Sequence, residues 1–166
     1  MSEAPHVIVL GTGGAGFTAA ISAHQAGARV SLFEKGDQVG GTTAWSGGMI
    51  WIPNNHHEAT LGVEDSREKA LTYLMSMSHG LMQQHLVEAF LDHGPEMVAF
   101  LEANTPVQFR PIPEFPDYHA EFPGGMPNGG RSLDCPLFSF HELGEWAEKV
   151  TLSPYYPMPY FSIYDT

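Results

Sequence analysis

An apolar run, Val7-Ile8-Val9-Leu10, leads straight into a glycine turn, Gly11-Thr12-Gly13-Gly14-Ala15-Gly16, and then into a small-residue stretch that reaches Ala26. A second apolar run, Val30-Ser31-Leu32-Phe33, follows and ends at Glu34. The order is that of a complete strand–turn–helix–strand unit. Within it Gly11 permits the tight turn, Gly13 lets backbone approach a pyrophosphate, and Gly16 lets the helix pack close on the strand. The diphosphate would rest on the free N–H groups and positive end of a helix starting near Ala15. Glu34 lies 18 residues beyond Gly16 (34 − 16), where a carboxylate can accept hydrogen bonds from both adenosine ribose hydroxyls. By itself this unit does not separate FAD from NAD, which share the adenosine diphosphate half.

The next residues carry that distinction. After Lys35-Gly36-Asp37 come Gly40-Gly41-Thr42-Thr43-Ala44 and Ser46-Gly47-Gly48, whose glycine doublets let backbone pass close to a large flat ligand. Together with Glu34-Lys35, these segments resemble the flavin-binding region of the FAD-dependent fumarate reductase and 3-ketosteroid dehydrogenase superfamily. Trp51-Ile52-Pro53-Asn54-Asn55 is similar to the ketosteroid dehydrogenase branch. The resemblance implies an α/β fold: a Rossmann-like FAD-binding domain, incomplete, with a parallel sheet and helices, plus the start of a helical, loop-rich insertion. It implies FAD as cofactor, held by Gly11, Gly13, Gly14, Ala15, Gly16, Glu34, Lys35, Gly40, Gly41, Thr42, Thr43, Ala44, Ser46, Gly47 and Gly48. In that family the flavin takes a hydride from a carbon β to a ketone while a tyrosine base removes the neighbouring proton. The implied substrate is a 3-ketosteroid or similar apolar ketone, with the electron acceptor unspecified. Pro116-Asp117-Tyr118 resembles the family segment whose tyrosine supports that base, which gives Tyr118 a hydrogen-bonding or proton-relay role in catalysis. Read from the residues alone, Tyr118 is first an amphipathic side chain packed under a proline loop, and only the resemblance moves it to the active site.

The chain has 166 residues, enough for one buried core, and 43% of them are hydrophobic, so disorder is not the default. Its formal charge of −12, with no lysine or arginine run, lacks the electrostatic footprint of a nucleic-acid partner. No stretch reaches the roughly 20 apolar residues of a membrane span. Met1-Ser2-Glu3-Ala4-Pro5 has no basic region and reads as neither signal peptide nor anchor. The single cysteine, Cys135, suits a reducing cytoplasm. No histidine falls in a His-x-x-x-His pair, so no metal site is expected. Ser46 lacks a Gly-x-Ser-x-Gly turn, which leaves a serine hydrolase unsupported.

Along the chain, residues 1–56 read as the dinucleotide-binding unit and flavin segment, 57–110 as helices packed on it, and 111–166 as an active-site-type loop, a short helix and a truncated end. Helices are expected over 65–78, opened by an Asp65/Glu68 capping box, over 82–93, and over 95–103, opened by Pro95. The apolar face of the second is Met82, Leu86, Ala89 and Phe90. Residues 107–110 alternate like a strand, and 111–136, with six prolines and two glycine doublets, read as a long loop. Ser139 and Glu142 form a second capping box, before a helix burying Leu143, Trp146, Ala147 and Val150. Arg131 either contacts ligand or pins the loop. The expected whole is the N-terminal part of a considerably longer flavoenzyme, inactive and poorly soluble alone. Two alternatives remain: a fumarate- or urocanate-type flavin reductase, and a non-catalytic flavin- or nucleotide-binding fragment.

Overall fold

In the computed structural model, which describes residues 3–154, His6–Leu10 (β1) and Arg29–Phe33 (β2) pair in parallel, with His6 opposite Arg29 and Leu10 opposite Phe33. The crossover is Gly14–Gln25 (α1). Gly16 makes its close packing possible, since a Cβ there would lie 2.0 Å from the Gly11 carbonyl oxygen. The helix ends at Gly27, whose φ of +86° is the left-handed conformation glycine adopts without steric cost. Gly41–Trp45 (α2) follows, entered through Gly40 at φ +120°, where a Cβ would meet the Ala44 Cβ at 2.5 Å. Residues 137–154 belong to this same compact unit as residues 3–48, joined through a parallel bridge between Val39 and Val150.

The segment before that bridge departs from the sequence expectation. Phe140–Lys149 is 3₁₀ rather than α-helical, the Ser139 side chain makes no capping bond, and Gly144 breaks the run at φ 55°, ψ −128°. Trp146 consequently stays exposed, with the Lys149 ammonium 4.1 Å from its ring centroid.

Residues 49–136 form the second unit. Its antiparallel sheet runs Ile50–Trp51 (β3), Gly129–Asp134 (β5), Arg110–Pro113 (β4), with β5 in the centre and all six of its residues buried. Two of these strands occupy the stretch expected to be loop, and the expected strand at 107–110 begins instead at Arg110. Pro111 and Pro113 hid β4, yet an edge strand tolerates proline because its outer N–H groups need no ladder partner. The mostly polar and glycine sequence of β5 hid the other.

Arg67–Ser76 (α3) is capped by Ser66, whose hydroxyl accepts the Lys69 N–H at 3.1 Å, rather than by Asp65. The two helices expected at 82–93 and 95–103 are one, Gln84–Asn104 (α4), with Pro95 inside it. Its buried stripe is Val87, Leu91, Gly94 and Val98, displaced by one position from the expected face, so that Leu86 and Phe90 are exposed. One apolar cluster joins Ile52, Val98, Phe109 and Leu133; another joins Ala70, Val87 and Leu91. The aromatic tail from Tyr155 onward lies outside the described residues.

Candidate functional site

In the first unit a groove of about 580 Å³ runs past the glycine turn, bordered by Gly11, Thr12, Gly13, Glu34, Lys35, Gly41 and Thr42. Gly13 sits at the N-cap of α1 with φ −74°, and an added Cβ would come no nearer than 3.6 Å to any neighbour, the Thr43 hydroxyl. Backbone is therefore open to a ligand there, at a helix end whose first-turn N–H groups have no intrahelical acceptor. Thr43 already marks the position: its hydroxyl accepts the Gly14 N–H at 2.9 Å, as a phosphate oxygen would. Ala15 and Gly16 form the rest of that first turn.

Glu34 stands just past β2, its Oε2 accepting the Thr12 N–H at 3.0 Å and the Thr12 hydroxyl, and its Oε1 accepting the Gly36 N–H at 3.0 Å. These bonds, the Thr12 hydroxyl foremost, hold its carboxyl at about 2, below the usual carboxylate range. An ionised carboxylate here can accept ribose hydroxyls and repels a phosphorylated ribose. Thr12 also accepts the Gly40 N–H at 3.0 Å, so one buried hydroxyl ties the first turn, the second strand and the residue 40–44 segment together. No spacing in the sequence marks that role. Ser46 closes the segment by donating to Thr43 O at 2.8 Å and accepting the Gly48 N–H at 3.1 Å, while Thr42, Ala44 and Gly47 complete the expected set.

The second unit holds an apolar pocket of about 350 Å³ lined by Met49, Trp51, Tyr73, Met77, Phe115 and Tyr118 among others, with no lysine or arginine in its wall. Tyr118 is at its edge and 84% exposed. Beneath it Asp117 is buried and fully engaged. Its Oδ1 accepts the Trp51 indole N–H at 2.7 Å, and its Oδ2 accepts Arg131 Nη1 at 2.8 Å and the Met126 N–H at 3.0 Å. Arg131, 0% exposed, also grips Asp65 in a two-pronged pair at 2.7 Å on each arm, its guanidinium within 5.5 Å of the Trp51 ring centroid and 5.4 Å of that of Tyr73. That settles the open choice for Arg131, which pins the loop. The Trp51–Asn55 segment has a local cause too: Asn55 is buried and donates to Ile52 O at 2.7 Å and Gly130 O at 3.0 Å, tying the turn after β3 to β5. Asp65, Asp117 and Trp51 as a connected group were not legible, because their contacts span 66 residues in sequence.

Against known proteins, a family described as an FAD binding domain matches residues 6–154. The chain is 41% identical over 150 residues to a 3-oxosteroid 1-dehydrogenase of Mycobacterium tuberculosis, covering 90% of this chain and 26% of that protein. It is 40% identical over 145 residues to a 4-oxocyclohexanecarboxylate 2-dehydrogenase of Sinomonas cyclohexanicum, covering 87% and 25%. More distantly, it is 34% identical over 133 residues to a urocanate reductase of Eggerthella lenta, covering 79% and 22%. Its fold matches the crystal structure of 3-ketosteroid delta1-dehydrogenase from Sterolibacterium denitrificans in complex with 1,4-androstadiene-3,17-dione, with TM-score 0.82, 38% identity, 88% of this chain and 26% of the other. The chain thus spans about a quarter of the length of the curated relatives it matches.

Proposed function

The chain belongs to the FAD binding domain family, and on that footing we propose that it forms the cofactor-binding part of a flavin-dependent dehydrogenase that desaturates the CH–CH bond beside a ring ketone. When bound, FAD would supply the hydride acceptor. The chain's own residues would bind and orient it: Gly11, Gly13 and Gly14 would admit the diphosphate, Glu34 would accept the ribose hydroxyls, and residues 40–48 would hold the flavin end. The cradle beside Gly13 supports this fit, since only a Cβ-free backbone leaves that space.

The substrate we propose is a 3-ketosteroid or a smaller ring ketone, the classes named by the two most similar relatives described above. One observation carries the choice of ketone over carboxylate. The pocket wall is mostly apolar, has no lysine or arginine, and carries the Asp117 carboxylate with His119 as its single basic side chain, whereas a carboxylate substrate of a urocanate-type reductase would need more cationic donors. Trp51 and the methionines would take up the hydrocarbon and exclude water. Tyr118, exposed at the pocket edge and next in sequence to the buried Asp117, would donate a hydrogen bond or relay a proton there. A phenol of ordinary pKa near 10 serves as a base only beside a donor that stabilises its anion, so Tyr118 fits better as the support of a second base. Cys135, whose thiol burial pushes up to about 11, stays protonated and takes no part.

The test uses the whole flavoprotein of which these residues form part, with a 3-ketosteroid and an artificial electron acceptor. Tyr118→Phe is expected to lower kcat by about a hundredfold or more at unchanged flavin content, given what positioned proton transfer contributes. Unchanged turnover in that variant removes Tyr118 from the chemistry, and reduction of an unsaturated carboxylate in place of ketone oxidation favours the reductase reading.

A further inference from the structure

In the second unit, away from the apolar pocket's lining, Glu102 in the last turn of α4 lies between two adjacent imidazoles. Its Oε2 is 3.0 Å from His56 Nε2 and its Oε1 is 2.8 Å from His57 Nε2. The two rings lie 4.1 Å apart, and the three donor groups converge within 4.8 Å of one another. We propose that His56, His57 and Glu102 bind a borderline divalent cation of the Zn²⁺ type, clamping the turn after β3 to the end of α4.

Two imidazole nitrogens and one carboxylate oxygen are the donor set such ions select, and hard cations such as Mg²⁺ prefer oxygen alone. Around a tetrahedral ion with bonds of about 2.0–2.1 Å, ligand atoms stand roughly 3.3 Å apart. Each imidazole meets a different carboxylate oxygen, at 3.0 Å to Oε2 and 2.8 Å to Oε1, and one donor atom from each residue lies within 4.8 Å of the others, so a small rotation of the carboxylate brings one oxygen to that spacing from both rings. The ligands are also braced from behind. Glu102 Oε1 accepts the Phe109 N–H at 2.9 Å, and the buried Asn55 side chain accepts the His57 N–H at 3.0 Å. Glu102 and His57 are largely covered while His56 is half exposed, so the remaining coordination position opens to water. Residue spacing gave no sign of this group, since Glu102 lies 45 residues from His57.

Chelator-treated protein titrated with Zn²⁺ by calorimetry is expected to bind one equivalent more tightly than His56→Ala does, by at least about tenfold, and to bind less tightly at pH 5.5 than at pH 7.5 because imidazoles must lose protons. Mg²⁺ gives no heat. Co²⁺ in place of Zn²⁺ should produce an intense visible ligand-field band in the unmodified protein, a readout that needs no variant to fold. Equal Zn²⁺ affinity and stoichiometry in the unmodified protein and His56→Ala, or a Co²⁺ spectrum no different from aqueous Co²⁺, overturns the site and leaves Glu102 as a hydrogen-bonding strap.

Discussion

Gly13 and Gly16 lie three residues apart and answer to different contacts. A Cβ on Gly16 strikes the Gly11 carbonyl at 2.0 Å, so that glycine belongs to the fold, whereas Gly13 has room and an ordinary φ. Gly13→Val is therefore expected to fold normally by circular dichroism and to lose bound flavin, while Gly16→Ala loses both. Normal flavin content in Gly13→Val would make the turn structural only. Glu58 gives the residue-scale pH signature. Burial first, and then the Asp65 carboxylate, raise its pKa from 4.5 to about 7. It binds its proton more tightly folded than unfolded, so the associated stability is full below about 4.5 and is lost as pH rises through about 7. Denaturant titrations of the chain should show stability falling between about pH 4.5 and 7 and levelling off above that, and Glu58→Gln should flatten that slope; an unchanged slope refutes the assignment. At this scale the glycine turn and Glu34 were legible, because their chemistry lies within a short run of sequence. Thr12, Asp117 and Asp65 were not, because each acts through a partner supplied by the fold.

At the scale of elements, local signals located α1 and the two parallel strands and misread the second unit. Pro95 suggested a helix start, yet α4 runs through it because Leu91 and Val98 on either side are buried in separate apolar clusters and hold the axis together. A proline inside a helix forgoes one backbone hydrogen bond and costs about 3 kcal/mol. Pro95→Ala is thus expected to raise stability by about 1–3 kcal/mol in denaturant unfolding, with no change in flavin content. A lower midpoint would show that the ring's packing outweighs the lost bond. The Asp65 capping box failed for a related reason: Asp65 pairs with Arg131 instead of a helix end, leaving Ser66 to cap α3.

Across the whole molecule, the described residues contain no helix long and apolar enough to cross a membrane. The two-stranded sheet leaves Leu10 81% exposed, with Ile8 and Phe33 also open to solvent. Such strands are apolar because sheets of this type are covered on both faces, and α1 covers one. The family was readable from residues 7–55, whereas the division that returns residues 137–154 to the first unit was not, since the contacts that carry it, the Val39–Val150 bridge and the Gln38–Glu148 and Trp45–Ser153 bonds, span more than a hundred residues. Cofactor content decides between flavin and nicotinamide chemistry. The whole flavoprotein is purified without added cofactor and denatured, and the released ligand is identified by its absorbance and mass. Stoichiometric FAD is the expected result, and an absence of flavin together with bound NAD would contradict it.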